Sequence, residues 1–248
     1  MTLSVIMPAR NEQSLVCRTV RRLRHVLQRA HIAHEILVID DYSTDHTAAR
    51  VRAFAGRHST VRLVRNALTP GVGRAIQCGL QHATGDAMVI VMADDSDAPE
   101  DVVQYYRALA GGVDCAFGSR FMRGARVVGY PWHKWLLNRL ANRCIQLLFW
   151  LPYNDVTNAF KGYRRHVIDG IQPILSHQFN ITVELPLKAI VRGYSYTVLP
   201  TSWTQRRRGV SKLRIREMGS RYLFIVLYVW LERLLSRGDY RRSDACVS

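Results

Sequence analysis

Residues 87–100 read AMVIVMADDSDAPE: an apolar run, Ala87 to Met92, followed almost at once by Asp94, Asp95 and Asp97. An apolar run bounded by turn formers predicts a strand buried on both faces, as a parallel sheet requires. Pro99, Glu100 and Asp101 suit the first turn of a helix, where proline forfeits no hydrogen bond and carboxylates meet the positive end of the dipole. The unit is strand, acidic turn, helix.

The same alternation extends on both sides. Leu3–Met7, Ile36–Ile39, Val61–Val64 and Val113–Phe117 read as strands. Leu15, Val16, Thr19, Leu23, Val26 and Leu27 fall on one helical face, and further helices are predicted from Thr44 to Ala55, Gly71 to Ala83 and Pro99 to Leu109. This predicts an α/β fold, a Rossmann-like, mostly parallel sheet flanked by helices. The later chain is less regular, with helices over Trp132–Trp150 and Val183–Arg192 and strands near Phe160–Arg164 and Thr197–Pro200. A basic stretch, Arg206–Arg216, precedes an amphipathic C-terminal helix over Glu217–Leu235. The expected organisation is a catalytic domain over 1–215, with halves 1–118 and 119–215, followed by the helix and basic tail of 216–248.

The 248 residues carry a net charge of +16, which points to phosphates, nucleic acid or an anionic membrane as partners. Residues 1–118 hold 13 basic and 12 acidic side chains, against 22 and 7 in residues 119–248, so the excess belongs to the second half. Cys17, Cys78, Cys115, Cys144 and Cys246 form no CxxC pair, which fits reduced thiols and a cytoplasmic setting. The longest apolar run, Tyr222 to Leu231, is too short to cross a bilayer, which takes roughly 20 residues. Trp132, Trp135, Leu136, Leu140, Leu147 and Trp150, interleaved with Lys134, Arg139 and Arg143, suit a helix lying in a membrane interface, as does the run 222–231 with its flanking arginines.

In open α/β sheets ligands bind beyond the carboxyl ends of the strands. Three strand ends here are polar: Pro8-Ala9-Arg10-Asn11-Glu12, Asp40-Asp41, and Asp94 to Asp97. Crowded carboxylates repel one another unless a cation sits among them, and Mg²⁺ or Mn²⁺ bound by one or two carboxylates and a diphosphate accounts for the third cluster. The pair Gly71 and Gly73 lacks the third glycine of a dinucleotide fingerprint and reads as a turn before a helix.

The segments MPARNE (7–12), VIDDYSTDHT (38–47), the acidic cluster (94–97) and GSRF (118–121) resemble, in order and spacing, the family 2 glycosyltransferases of GT-A fold. DVTNAFKGYRR (155–165) and RRRGVSKL (206–213) are similar to the polyprenyl-phosphate branch of that family. The resemblance covers about residues 3–215. It implies an inverting, metal-dependent transfer of a sugar from a nucleotide-diphosphate sugar to a polyprenyl phosphate, by a protein peripheral on the cytoplasmic face of the membrane.

It also implies roles. Pro8, Arg10, Glu12, Ile39, Asp41 and Ala93 line the donor pocket, Arg10 standing where the family has an aromatic residue. In the family's DADxQ register Met92 takes the place of the first Asp, Asp94 the second and Ser96 the Gln. Either Asp95 and Asp97 form a shifted metal pair, or Asp94 holds the ion with Asp97 helping. Asp94, Asp97 and Arg120 carry the catalytic assignment, and Lys134, Asn138, Arg206, Ser211 and Lys212 face donor or lipid phosphates. An ionised acceptor phosphate needs no general base. A saccharide hydroxyl acceptor, the alternative within this class, needs one. A nucleic-acid-binding module accounts for the charge but poorly for the acidic strand ends, so no nucleic acid is expected.

Overall fold

The structure is a computed structural model that describes residues 1–205 and 215–242. Its elements run β1 (Leu3–Ala9), α1 (Val16–Arg29), β2 (His34–Asp40), α2 (Thr47–Ala55), β3 (Val61–Arg65), α3 (Val72–His82), β4 (Ala87–Ile90), α4 (Pro99–Ala110) and β5 (Cys115–Ser119). Then follow β6 (Val127–Val128), α5 (Trp132–Phe149), β7 (Lys161–Arg164), α6 (Arg165–Gly170), α7 (Ile181–Val191), β8 (Tyr196–Pro200), β9 (Trp203–Thr204) and α8 (Ile215–Leu235).

Seven strands form one sheet in the order β3-β2-β1-β4-β7-β5-β8. All pairings are parallel except those of β7, which runs antiparallel between β4 and β5. The order reverses at β1, where β2 lies on one side and β4 on the other, so a crevice opens beyond their carboxyl ends. β7 comes from the later chain and sits inside the sheet of the earlier, so residues on both sides of Gly118 share one sheet. Two apolar clusters cover its faces: Val16, Val20, Leu23, Leu27 and Val102 pack on one, and Ile76, Leu80, Phe149, Val183, Leu187 and Ile225 on the other.

The predicted α1 stripe is inside, with Val16, Thr19, Leu23 and Leu27 buried. Three boundaries differ for local reasons. β4 ends at Ile90, two residues short of expectation, because the Met92 amide turns to donate to Asp97 Oδ2 at 3.1 Å. α2 starts at Thr47, since the Thr44 amide is taken by Asn11 Oδ1 at 2.8 Å while Asp45 Oδ1 accepts from the Thr47 amide at 2.9 Å. β5 runs two residues later than predicted, to Ser119, in step with β8 from Cys115↔Tyr196 to Ser119↔Pro200.

No helix among the described residues is long and apolar enough to cross a membrane. α5 and α8 nevertheless expose large apolar side chains: Trp132, Leu140, Leu147 and Trp150 on one, Leu223, Phe224 and Leu235 on the other. The predicted C-terminal helix is present, with apolar side chains on its exposed as well as its buried side.

Candidate functional site

Three non-glycine residues with left-handed backbone lie just past strand ends: Asn11 (φ 53°) after β1, Tyr42 (φ 56°) after β2 and Asp95 (φ 59°) after β4. Among the described residues His31, Trp150 and Arg237 share this backbone but follow helices, where a left-handed residue is an ordinary stop. Strain at three adjacent strand ends marks the crevice as a built site.

At the end of β2, Asp41 is buried and accepts from Asn66 Nδ2 at 2.8 Å and from the Gly71 amide at 3.1 Å on both oxygens. Asn66, which follows β3, thus fixes Asp41. The reading of Gly71 and Gly73 as a turn before a helix holds, and the structure adds a reason for the second glycine. A Cβ on Gly73 would lie 2.5 Å from the Ser176 carbonyl oxygen and 2.6 Å from the His177 carbonyl carbon. Pro8 and Ile39 are buried in their strands, Ala93 is buried in the turn after β4, and Arg10 and Glu12 occupy the turn after β1.

In the acidic turn, Asp94 Oδ1 accepts from Ser96 Oγ at 2.6 Å. Asp97 is buried, and that burial, with the charge of Asp94 beside it, pushes its carboxyl up to about 7. The charge of Asp94 acting on Asp97 places the two carboxylates near one another. Asp95 does not join them: Arg22 Nη1 lies 2.6 Å from its Oδ1 and Arg18 Nε 3.2 Å from its Oδ2. Its left-handed backbone turns the side chain to α1, and among the described residues no three His, Cys or acidic groups converge on a common metal position. Of the two arrangements the sequence leaves open, Asp94 with Asp97 is compatible with this placement, whereas Asp95 is engaged by Arg18 and Arg22. Two neighbouring carboxylates, one of them buried, fit a divalent cation whose remaining ligands come from a diphosphate and water.

Arg120 follows β5 and closes onto Asp155, which is fully buried. Nε and Nη2 donate at 2.8 Å each, and the Arg120 amide adds a third bond at 2.9 Å. Its guanidinium also stacks over Tyr130, 5.4 Å from the ring centre, and its charge reaches Asp97. Asp155 opens the DVTNAFK segment and is the functional partner that motif reading left without a role. Asn138 turns inward: its Nδ2 donates to Thr157 Oγ1 at 2.9 Å and its Oδ1 accepts from Asn142 at 2.8 Å. It braces the same segment. Lys134 lies one helical turn earlier on α5. Arg206, Ser211 and Lys212 lie outside the described residues.

One more connection was invisible in the sequence. Chain 201–205 is hydrogen-bonded to the acidic turn, with the Thr204 amide donating to the Ser96 carbonyl at 2.9 Å and the Ala98 amide to the Ser202 carbonyl at 3.2 Å. Its other edge pairs with β6, and the Trp203 ring packs edge-on against Tyr130.

Residues 4–171 match the family described as Glycosyl transferase family 2. Polyprenol monophosphomannose synthase of Mycolicibacterium smegmatis is 31% identical over 215 residues, 84% of this chain and 80% of that protein. Dolichol-phosphate mannosyltransferase of Pyrococcus furiosus is 30% identical over 86% of this chain, which spans 60% of that protein's length. Among solved structures, glucosyl-3-phosphoglycerate synthase from Mycobacterium tuberculosis, crystallised with Mn²⁺, uridine diphosphate and phosphoglyceric acid, superposes with a TM-score of 0.68. It is 18% identical, a likeness of fold, over 98% of this chain and 80% of that one. With its seven-stranded sheet and strand-end acidic turn, the chain belongs to glycosyltransferase family 2, and it is a glycosyltransferase of GT-A fold.

Proposed function

We propose that the protein transfers a sugar, with inversion, from a nucleotide-diphosphate sugar to a polyprenyl phosphate at a membrane surface. The observation that carries the reading is the two-carboxylate turn, Asp94 with Asp97, set beside the Arg120–Asp155 pair at the reversal point of the sheet. Asp41, held by Asn66 and Gly71, is placed to accept from the nucleoside, with Pro8, Ile39 and Ala93 as apolar walls. Asp94 and Asp97 would hold Mg²⁺ or Mn²⁺, which supplies charge neutralisation of the diphosphate leaving group. Arg120, held by three hydrogen bonds to Asp155, adds a positive charge that costs no reorganisation during reaction.

The acceptor assignment draws on the names of the two sequence relatives and on the exposed apolar faces of α5 and α8. A phosphate oxygen of the lipid attacks the anomeric carbon, the bond to the diphosphate breaks on the opposite side, and no proton has to move. Lys134 on α5 would meet the lipid phosphate. The organisation proposed is a catalytic domain over 1–215 followed by the α8 segment, with nucleic acid playing no part. The free thiols of Cys17, Cys78, Cys115 and Cys144 suit the cytoplasmic side of the membrane.

A second reading has its own support. Asp97, titrating near 7, has the proton affinity of a general base, which a saccharide hydroxyl acceptor needs. Incubation of the protein and a divalent metal with a panel of nucleotide sugars, offering polyprenyl phosphate and oligosaccharides in parallel, tests both. The first reading expects an acid-labile, lipid-linked sugar, and labelling of the saccharide alone overturns it.

A further inference from the structure

The acidic turn is gripped from outside the crevice by one face of α1. Buried Thr19 donates from Oγ1 to the Ala93 carbonyl at 3.1 Å, and on the same face Arg18 and Arg22 reach Asp95 at 3.2 and 2.6 Å. The Asp95 side chain is only 11% exposed, and its backbone, at φ 59°, is one that residues with a Cβ rarely hold without external support. Two further bonds close the turn on its inner side, from the Met92 amide to Asp97 and from Ser96 to Asp94. The left-handed residue sends the chain back on itself, so that Asp94 and Asp97 face the same space while Asp95 faces away.

We propose that Arg22, with Arg18 as a second arm, is a positioning residue. By holding Asp95 against α1 it imposes the turn that makes Asp94 and Asp97 a two-carboxylate cation site. The inference rests on the metal-assisted donor binding proposed above. It is separable from a plain charge effect, because the two predict opposite signs. If the arginines acted only through their field, removing one would strengthen cation binding, since a positive charge would leave and a carboxylate would be uncovered. If they act through geometry, removing one releases the turn and weakens binding.

The test is titration of Mn²⁺ into the full chain, followed by the electron paramagnetic resonance signal of the free ion, with saturating uridine or guanosine diphosphate. Arg22→Ala and Asp95→Ala are each expected to weaken Mn²⁺ binding about three- to tenfold, in the range of a partly exposed ion pair that also holds a backbone. The double variant should be no worse than either single one, because both remove the same restraint. Arg22→Lys, which keeps the charge and one donor, should stay within about twofold of the unaltered protein. Tighter or unchanged binding in Arg22→Ala, or a double variant restored to the original affinity, overturns the proposal. The double variant leaves only the solvent-exposed Arg18 without its partner, so it keeps the test decisive if a single variant melts early. Failure of the unaltered protein to bind Mn²⁺ with either nucleotide would instead refute the proposed donor chemistry, and this inference with it.

Discussion

Arg120→Met tests whether the Arg120–Asp155 pair holds the site together. Asp155 is inaccessible to solvent, and its carboxylate accepts three hydrogen bonds from one residue, two from the guanidinium and one from the amide. Methionine keeps much of the arginine's apolar length but supplies no charge, leaving a buried carboxylate with the amide bond alone. Breaking a buried pair from one side costs about 3–5 kcal/mol. For a chain of this size that is a fall of roughly 6–20 °C in melting temperature, at about 2–4 °C per kcal/mol. Replacing both partners, as in Arg120→Met with Asp155→Leu, removes the stranded charge and should recover more than half of the loss. Thermal and urea unfolding of the three variants measure this directly. A single variant costing under about 1 kcal/mol, or a double variant that loses the sum of both singles, would refute the reasoning.

Asp94→Ala should abolish metal-dependent donor binding, whereas Lys134→Ala should chiefly weaken use of the lipid phosphate. Equal loss of donor affinity in calorimetry would contradict that division. Gly73→Ala should destabilise the protein by about 1–3 kcal/mol, because the new methyl meets backbone of residues 176–178 that cannot rotate aside. A melt within a degree of the original would show that the 176–178 loop yields. Asp97, raised from 3.8 in the unfolded chain to about 7 in the fold, binds its proton more tightly when folded. Its stabilisation is therefore complete below about pH 4 and is lost as pH rises to 7, by up to about 1.4 kcal/mol per pH unit. Urea midpoints from pH 5 to 8 should fall in the metal-free protein relative to Asp97→Asn, and parallel curves would falsify the burial argument.

The legible part of this protein was whatever local pattern could carry. The α1 stripe gave a correct helix because tertiary packing used the same face that periodicity exposed, and Ala87 to Ile90 gave the strand on which the acidic turn stands. Three things were out of reach. β7 lies antiparallel inside an otherwise parallel sheet, and a strand of four residues carries no mark of its direction. Asp95 looked identical to Asp94 and Asp97 in sequence; only the side toward which its backbone turns separates them, and that is decided by Arg22, 73 positions away. Asn138 and Asp155 were both in recognisable segments, but the contacts that make one a brace and the other a counter-ion come from elements that meet only in three dimensions.

The basic excess of residues 119–248 shows the same limit, and its structure changes what it means. Part of it is taken up by bonds within the protein. Arg164 donates to the Leu109 carbonyl, Arg165 to the carbonyls of Ala83 and Gly85, and Arg233 to that of Phe149. Arg192 combines an ion pair to Glu232 with bonds to the Gly170 and Gln172 carbonyls, and Arg242 ties the chain after α8 to Asp114. A guanidinium offers five donors in a fixed fork, so one arginine can bond several strand-end or helix-end carbonyls. Net charge read along the sequence therefore overstates what remains for an external phosphate. Raising ionic strength should weaken acceptor binding through surface cations such as Arg123, Arg126 and Arg143, while leaving the melting temperature nearly unchanged, because the internal arginine bonds are short-ranged.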